Sequence, residues 1–388
     1  MKLTPLHKAM LLTGIYGLFS NMIHPITPTL IESLGLPNYM FGLLFAAMAT
    51  GTFITSTFWG RMADKRGRRL VLVVTFLGYA VAQLLLGYVQ DAVAMTLVRL
   101  VGGLFTGGTM VCIMAMVIDA SDERHRATQL MYLAAVQSVT GSLGFLLGGV
   151  LGTVSLMLVF WVHFAGLCLG AALSAIWVQD AKPGTASAAS PKINLRLMRS
   201  MLPLSAILFL VGVAFANFGT YGFDNAFNYY LKNVLSFPSS INGIVKAVTG
   251  LLGLAANLIV NPWLLKRMQA GPALVLSTAL CAATLVLVAL ITDVPLFLAV
   301  NVLFYVLNAM YVPMQQALAG QDKQLDLGFI SGLYYSIRSL GMIAGSLTAG
   351  FVYEVNAKLP FVLAAAAFAL AAAAAWFSYK AISKRTTE

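Results

Sequence analysis

The chain has 388 residues, of which 60% are hydrophobic and only 10% charged, and its mean hydropathy is +0.86. That balance excludes an ordinary soluble domain and describes an all-α membrane protein that crosses the bilayer many times. The formal net charge of +11 calls for no nucleic-acid partner, because the positive residues cluster between apolar runs, where they face anionic lipid headgroups.

Twelve transmembrane helices are predicted, at 9–31, 39–60, 70–89, 92–117, 128–151, 155–178, 200–231, 240–261, 272–291, 294–320, 328–353 and 359–381. Each run is near the roughly 20 residues needed to cross about 30 Å of hydrocarbon. The first is too long for a signal peptide and no small-residue cleavage site follows it. Cys112, Cys168 and Cys281 are odd in number and fall within spans, as small packing residues. Of the 24 Lys and Arg, only Lys232 and Lys358 fall in loops assigned to the outer side, and Arg99, Lys246 and Arg338 lie within spans. The remainder place both termini in the cytoplasm, in a multi-pass protein of the cell inner (plasma) membrane. After the sixth span, the small and polar stretch Asp180 to Pro191 leads into Lys192, Arg196 and Arg199. It reads as a cytoplasmic linker over 180–199, joining an N-terminal six-helix bundle, 1–179, to a C-terminal one, 200–388.

The two bundles read as pseudo-symmetric copies at an offset of 201 residues. Gly42 falls on Gly243 and Lys65-Arg66 on Lys266-Arg267; Ser138 falls on Ser339, Gly144 on Gly345 and Gly149 on Gly350. Parallel repeats of this kind imply a substrate site on the axis between the halves, reached from each side in turn. Under the same offset Asp224 falls on Ile23, beside His24; Arg338 falls on Gln137 and Lys246 on Phe45. The charged residues thus sit at depths where the other half has central positions.

The loop after the second span reads Gly60-Arg-Met-Ala-Asp64-Lys-Arg-Gly-Arg68-Arg69. Its glycines let the chain turn and helices approach, and its charges can form charge-assisted bonds. At every position this loop resembles the Gly-x-x-x-Asp-(Arg/Lys)-x-Gly-(Arg/Lys)-(Arg/Lys) motif of the major facilitator superfamily. Arg99-Leu-Val-Gly-Gly103, running on to Gly107-Gly108, resembles the family's span-4 signature. His24-Pro25-Ile-Thr-Pro28 resembles the first span of twelve-span drug:proton antiporters of the quinolone-efflux type. Span 5 departs from that group: Phe145 stands where its signature Gly-Pro-x-x-Gly-Gly has proline, although Gly144, Gly148 and Gly149 remain. The resemblance implies a conformational latch of Gly60, Asp64 and Arg68 with Asp119, a part for Arg99 in proton coupling, and export as the direction of transport.

Charges inside apolar spans are costly and usually functional. Asp224 shares a helical face with Asn217, Tyr221 and Asn228. Desolvation suits its carboxyl to take up and release a proton near neutral pH; the alternative is a structural ion pair with Lys246 or Arg338. His24 is a second proton-coupling candidate, against the plainer reading of a hydrogen-bonded structural histidine, the reading also given to His163 in span 6. Arg338 follows Tyr334 and Tyr335 in span 11, and Asn301, Tyr305 and Asn308 form a stripe in span 10. The predicted substrate cavity therefore comprises Arg338, Lys246, Asn217, Tyr221, Asn228, Gln137, Asn308 and Tyr335. One acid does not compensate two bases in the C-terminal half, so water, a deprotonated Lys246 or an anionic ligand must balance the difference.

No HExxH, GxSxG or Walker-type loop is present, and no metal site or cofactor is predicted. The function read from the sequence and the resemblance is a proton-coupled exporter (antiporter) of small amphipathic molecules, similar to multidrug efflux, with protons and membrane lipids as its other partners, acting as a monomer. One alternative is a dedicated exporter of a carboxylate-bearing or zwitterionic metabolite, such as an amino-acid-derived metallophore. The other is a membrane receptor that transports nothing.

Overall fold

A computed structural model describes residues 3–122, 125–179, 203–319 and 327–387. The predicted linker, with Asp180, Lys192, Arg196 and Arg199, lies outside them. The described helices are α1 (Pro5–Ser20), α2 (Thr27–Ser33), α3 (Met40–Arg66), α4 (Arg68–Leu86), α5 (Ala92–Asp119), α6 (Arg126–Val154), α7 (Leu156–Trp177), α8 (Leu204–Asn233), α9 (Ser239–Ala255), α10 (Asn261–Arg267), α11 (Ala270–Leu290), α12 (Val294–Ala319), α13 (Leu327–Tyr353) and α14 (Leu359–Thr387). Ten helices among the described residues, α9 and α10 taken together, are long and apolar enough to cross a membrane.

Two predicted spans differ from continuous helices. The first is α1 and α2 separated by a turn and a short 3-10 segment, His24–Ile26. Pro25 and Pro28 lack the N–H that an unbroken ladder requires, so the helix yields at Asn21–Ile23. The eighth carries a π turn, Ala256–Val260, between α9 and α10. It precedes Pro262, whose ring would clash with the carbonyl four residues back in a regular helix.

The chain divides into two compact units, 1–189 with 228–251, and 190–227 with 252–388. In the first unit, α3 packs along α5 and α1 along α6 and α7. A core of Leu72, Phe76, Tyr79, Cys112, Ile113 and Leu167 fills the space between helices. The close approach of α1 and α6 depends on glycine: a Cβ at Gly144 would strike the Leu18 carbonyl oxygen. Gly67, at φ +91°, makes the tight turn between α3 and α4 that a side chain would strain.

In the second unit α11 packs along α14 and α12. Its centre is aromatic, with Phe223 edge-on to Phe304 at 4.5 Å and against Phe361 at 5.2 Å. A Cβ at Gly345 would strike the Phe218 carbonyl oxygen of α8. Gly144 and Gly345 are the pair related by the 201-residue offset, and each meets the backbone of the first helix of its own half.

Candidate functional site

In the second unit Asp224 is half-buried on α8, and its Oδ1 accepts a hydrogen bond from the Tyr305 hydroxyl of α12 at 2.7 Å. One turn before it, Tyr221 accepts a side-chain hydrogen bond from Arg338 of α13, with Tyr334 and Tyr311 near enough to act on the same guanidinium. Thr220 bonds both Asn308 Oδ1 and the Tyr311 hydroxyl, each at 2.9 Å. α8, α12 and α13 thus join Asp224, Tyr221, Asn308 and Arg338 of the predicted set into adjoining polar groups. Asn225 donates to Ser346 Oγ at 3.0 Å, a further α8 to α13 bond. Asn217 does not join them. It is buried and donates to the Val213 carbonyl of its own helix at 2.8 Å, beneath the glycine contact at Gly341. Tyr335 is 46% exposed and packs edge-on against Tyr334.

In the first unit Arg99 is buried. It donates from Nη2 to Thr27 Oγ1 at 3.3 Å and from Nη1 to the Met48 sulfur at 3.6 Å. His24 stacks on Phe145 at 5.6 Å and lies 6.1 Å from the Phe45 ring. The residue that replaces the signature proline of span 5 therefore forms one wall of the histidine's surroundings. Gln137 donates to the Met110 sulfur at 3.1 Å. Lys246 is buried on α9, a low-dielectric place for an ammonium.

Asn228 completes a polar seam around the break in the first span. Its amide donates to the His24 carbonyl at 3.0 Å. Asn242 of α9 donates to the Pro25 carbonyl at 3.4 Å and to Asn228 Oδ1. Pro28 has no N–H to offer the His24 carbonyl, which keeps only the Thr27 N–H of the 3-10 turn and so has room for the Asn228 amide. Thr29 meets Ser239 at 2.9 Å, Tyr229 donates to Asn38 Oδ1 at 2.7 Å, and Lys232 pairs with Glu32 at 3.0 Å. At the other end of the helices Arg68 pairs with Asp119, Nη2 to Oδ2, at 2.6 Å. Asp64 is exposed beside them, and Gly60 has only ordinary contact with Val111.

Nothing in the sequence patterning singles out Asn242, Tyr311, Gln83 or Met48. Thr220 was legible, since it lies four residues before Asp224 on the stripe that carries Asn217 and Tyr221, whereas Asn242 follows Ser239 and Ser240 at the start of its span, where polar residues mark a helix end. A buried amide next to a predicted proline break is the one signal that could have pointed to Asn242.

A family model for the Major Facilitator Superfamily matches residues 9–324. Multidrug resistance protein 1 of Bacillus subtilis (strain 168) is 23% identical over 366 residues, 93% of either chain. Quinolone resistance protein NorA of Staphylococcus aureus (strain MRSA252) is 24% identical over 350 residues, 88% of either chain. Among solved structures, a bacterial homolog of the human lysosomal transporter Spinster, inward-facing and unoccupied, superposes with a TM-score of 0.78 at 14% identity, covering 98% of this chain and 97% of its own. The human organic anion transporter MFSD10 does so with a TM-score of 0.65 at 19% identity, over 96% of this chain and 100% of its own. With the family model spanning well over half of the residues and the same helical fold recurring from end to end in solved transporters, this chain belongs to the Major Facilitator Superfamily of membrane transporters.

Proposed function

We propose that this transporter is a proton-coupled antiporter that exports small amphipathic molecules in the manner of multidrug efflux, as a monomer in the plasma membrane with both termini cytoplasmic. The observation that carries the reading is Asp224, an acid within a membrane helix whose carboxylate is held by the Tyr305 hydroxyl at 2.7 Å. The names of two relatives, a multidrug resistance protein and a quinolone resistance protein, support the cargo and the direction. Asp224, aided by His24 and Arg99, releases its proton inward and cargo binds. The bundles 1–179 and 200–388 then rock, and protonation from outside expels the cargo. The seam of Asn228 and Asn242 on the broken first span is the contact this cycle makes and breaks, and the Arg68–Asp119 pair, inside the bundle 1–179, holds the loop between α3 and α4 in the form that closes the cytoplasmic side. Purified protein in liposomes should accumulate a fluorescent efflux substrate only when a proton gradient is imposed. No movement under any gradient would favour the receptor reading.

A second reading, export of a carboxylate-bearing or zwitterionic molecule, is favoured by one observation: Arg338 is bonded to a phenol and flanked by two more. Charge-assisted bonds are worth about 1.5–3 kcal/mol, so Arg338→Ala should cut export of carboxylate cargo by about 10- to 100-fold. If Arg338→Ala and Lys246→Ala leave every carboxylate substrate untouched while resistance to cationic drugs depends on Asp224, this second reading is wrong.

The latch is tested by charge exchange. Arg68→Asp and Asp119→Arg should each slow turnover by about tenfold, the scale of a coupling free energy near 1.4 kcal/mol, and the double exchange should restore most of it. Single variants that run at the normal rate would remove the pair from the cycle.

A further inference from the structure

Among the described residues, Arg99 is a cation that makes no ion pair, and the residue is 4% exposed. Its partners are all neutral: the Thr27 hydroxyl, the Met48 thioether, and Tyr79, the ionisable neighbour that acts on it. Thr27 already gives its own proton to the Ile23 carbonyl at 2.8 Å, so toward Arg99 it is an acceptor only. The guanidinium Nε–H is buried and has no partner. Gln83, fully buried, shares the Met48 sulfur with Arg99 at 3.9 Å and leaves Oε1 unpartnered. An amide turned about its last bond exchanges its N–H and oxygen in place, so Gln83 can present a donor where its oxygen now stands.

A buried guanidinium with a spare N–H, and an amide with spare capacity on the same Met48 sulfur, supply what an anion site needs: fixed positive charge, unused donors and little water. We propose that Arg99, with Gln83, binds one compact monovalent anion, either an inorganic halide or the carboxylate of a cargo molecule. The site lies in the unit of residues 1–189 and 228–251, and is distinct from Arg338 in the other unit. This goes beyond the transport cycle above, which gives Arg99 only an auxiliary part, and it is tested by binding without transport.

The experiment is thermal unfolding of the purified full-length protein in detergent at constant ionic strength, with sodium gluconate replaced stepwise by chloride, bromide or acetate. For the native protein the midpoint should rise saturably, by roughly 2 °C at a tenfold excess over the half-saturating concentration. A rise with halide alone identifies an inorganic ion, and a rise with acetate identifies a carboxylate subsite. Arg99→Gln should abolish the rise, and Arg338→Gln should keep it. If Arg99→Gln does not fold, Arg99→Lys, which keeps the charge but loses the Nε–H and the planar fork, should raise the half-saturating concentration about tenfold. The assignment is overturned by a native protein indifferent to all three anions, by an unchanged response in Arg99→Gln or Arg99→Lys, or by a response lost in Arg338→Gln and kept in the Arg99 variants.

Discussion

Asp224→Asn is expected to abolish gradient-driven export while leaving a folded protein in the membrane. The substituted amide has the same shape and keeps an oxygen to accept from Tyr305, whose hydroxyl now donates to Asp224 Oδ1 at 2.7 Å, so the bond between α8 and α12 survives. What is lost is the exchangeable proton. One proton per cycle, driven by one pH unit, is worth about 1.4 kcal/mol, or about tenfold accumulation of cargo; in the Asp224→Asn variant the ratio should fall to about one. Downhill movement of cargo should persist, because binding and rocking need no proton once the charge is gone. The measurement is substrate accumulation in liposomes across a series of imposed pH differences. Uphill export that still scales with the gradient would assign the proton to another residue, with His24, packed between Phe45 and Phe145, next in line.

The second large effect concerns folding. Gly144→Leu should destabilise the protein by about 3 kcal/mol or more, at or beyond the upper end of ordinary overpacking. The reason is that the added carbon meets backbone. It would strike the Leu18 carbonyl oxygen, with the Asn21 Cβ 3.2 Å away, and the only relief is to part α1 from α6. Gly345→Leu should cost a similar amount, because its Cβ would meet the Phe218 carbonyl in the same way. Gly60→Ala is the control. The nearest atom to a Cβ there is Val111 Cγ1 at 3.5 Å, an ordinary contact, so its stability should stay within about 0.5 kcal/mol of the native protein, as substitutions away from special features usually do. Unfolding midpoints of the purified variants in detergent test all three. Equal stability of the Gly144 and Gly60 variants would mean that α1 and α6 are not held as closely as described.

Gly144 and Gly345 were legible as a pair because an offset in the sequence needs no structure to be seen. Their use was legible too, since small residues in apolar helices let backbones approach. The polar face of α8 was legible only in part. Helical spacing put Asn217, Tyr221, Asp224 and Asn228 on one stripe, yet Asn217 turns to its own backbone, Tyr221 to Arg338, Asp224 to Tyr305 and Asn228 to the His24 carbonyl. A helix of 30 residues is about 45 Å long, and the neighbours of its stripe change from one turn to the next. The break in the first span was marked by Pro25 and Pro28, but a proline kinks as readily as it breaks, and the outcome depends on what catches the freed carbonyls. Here Asn228 catches the His24 carbonyl, and Asn242 reaches that of Pro25, both from more than 200 residues away in sequence.

From the order of residues alone came the number of membrane helices, their approximate ends, the internal repeat and the loop by which the family is known. These follow from hydropathy, length and spacing, which are properties of neighbours along the chain. Only the folded molecule decided that Tyr305 serves Asp224 and that Arg99 is left among neutral partners. Such pairings depend on how each helix is rotated and set against the next, and a one-dimensional pattern carries no record of that rotation once almost every face of every helix is apolar.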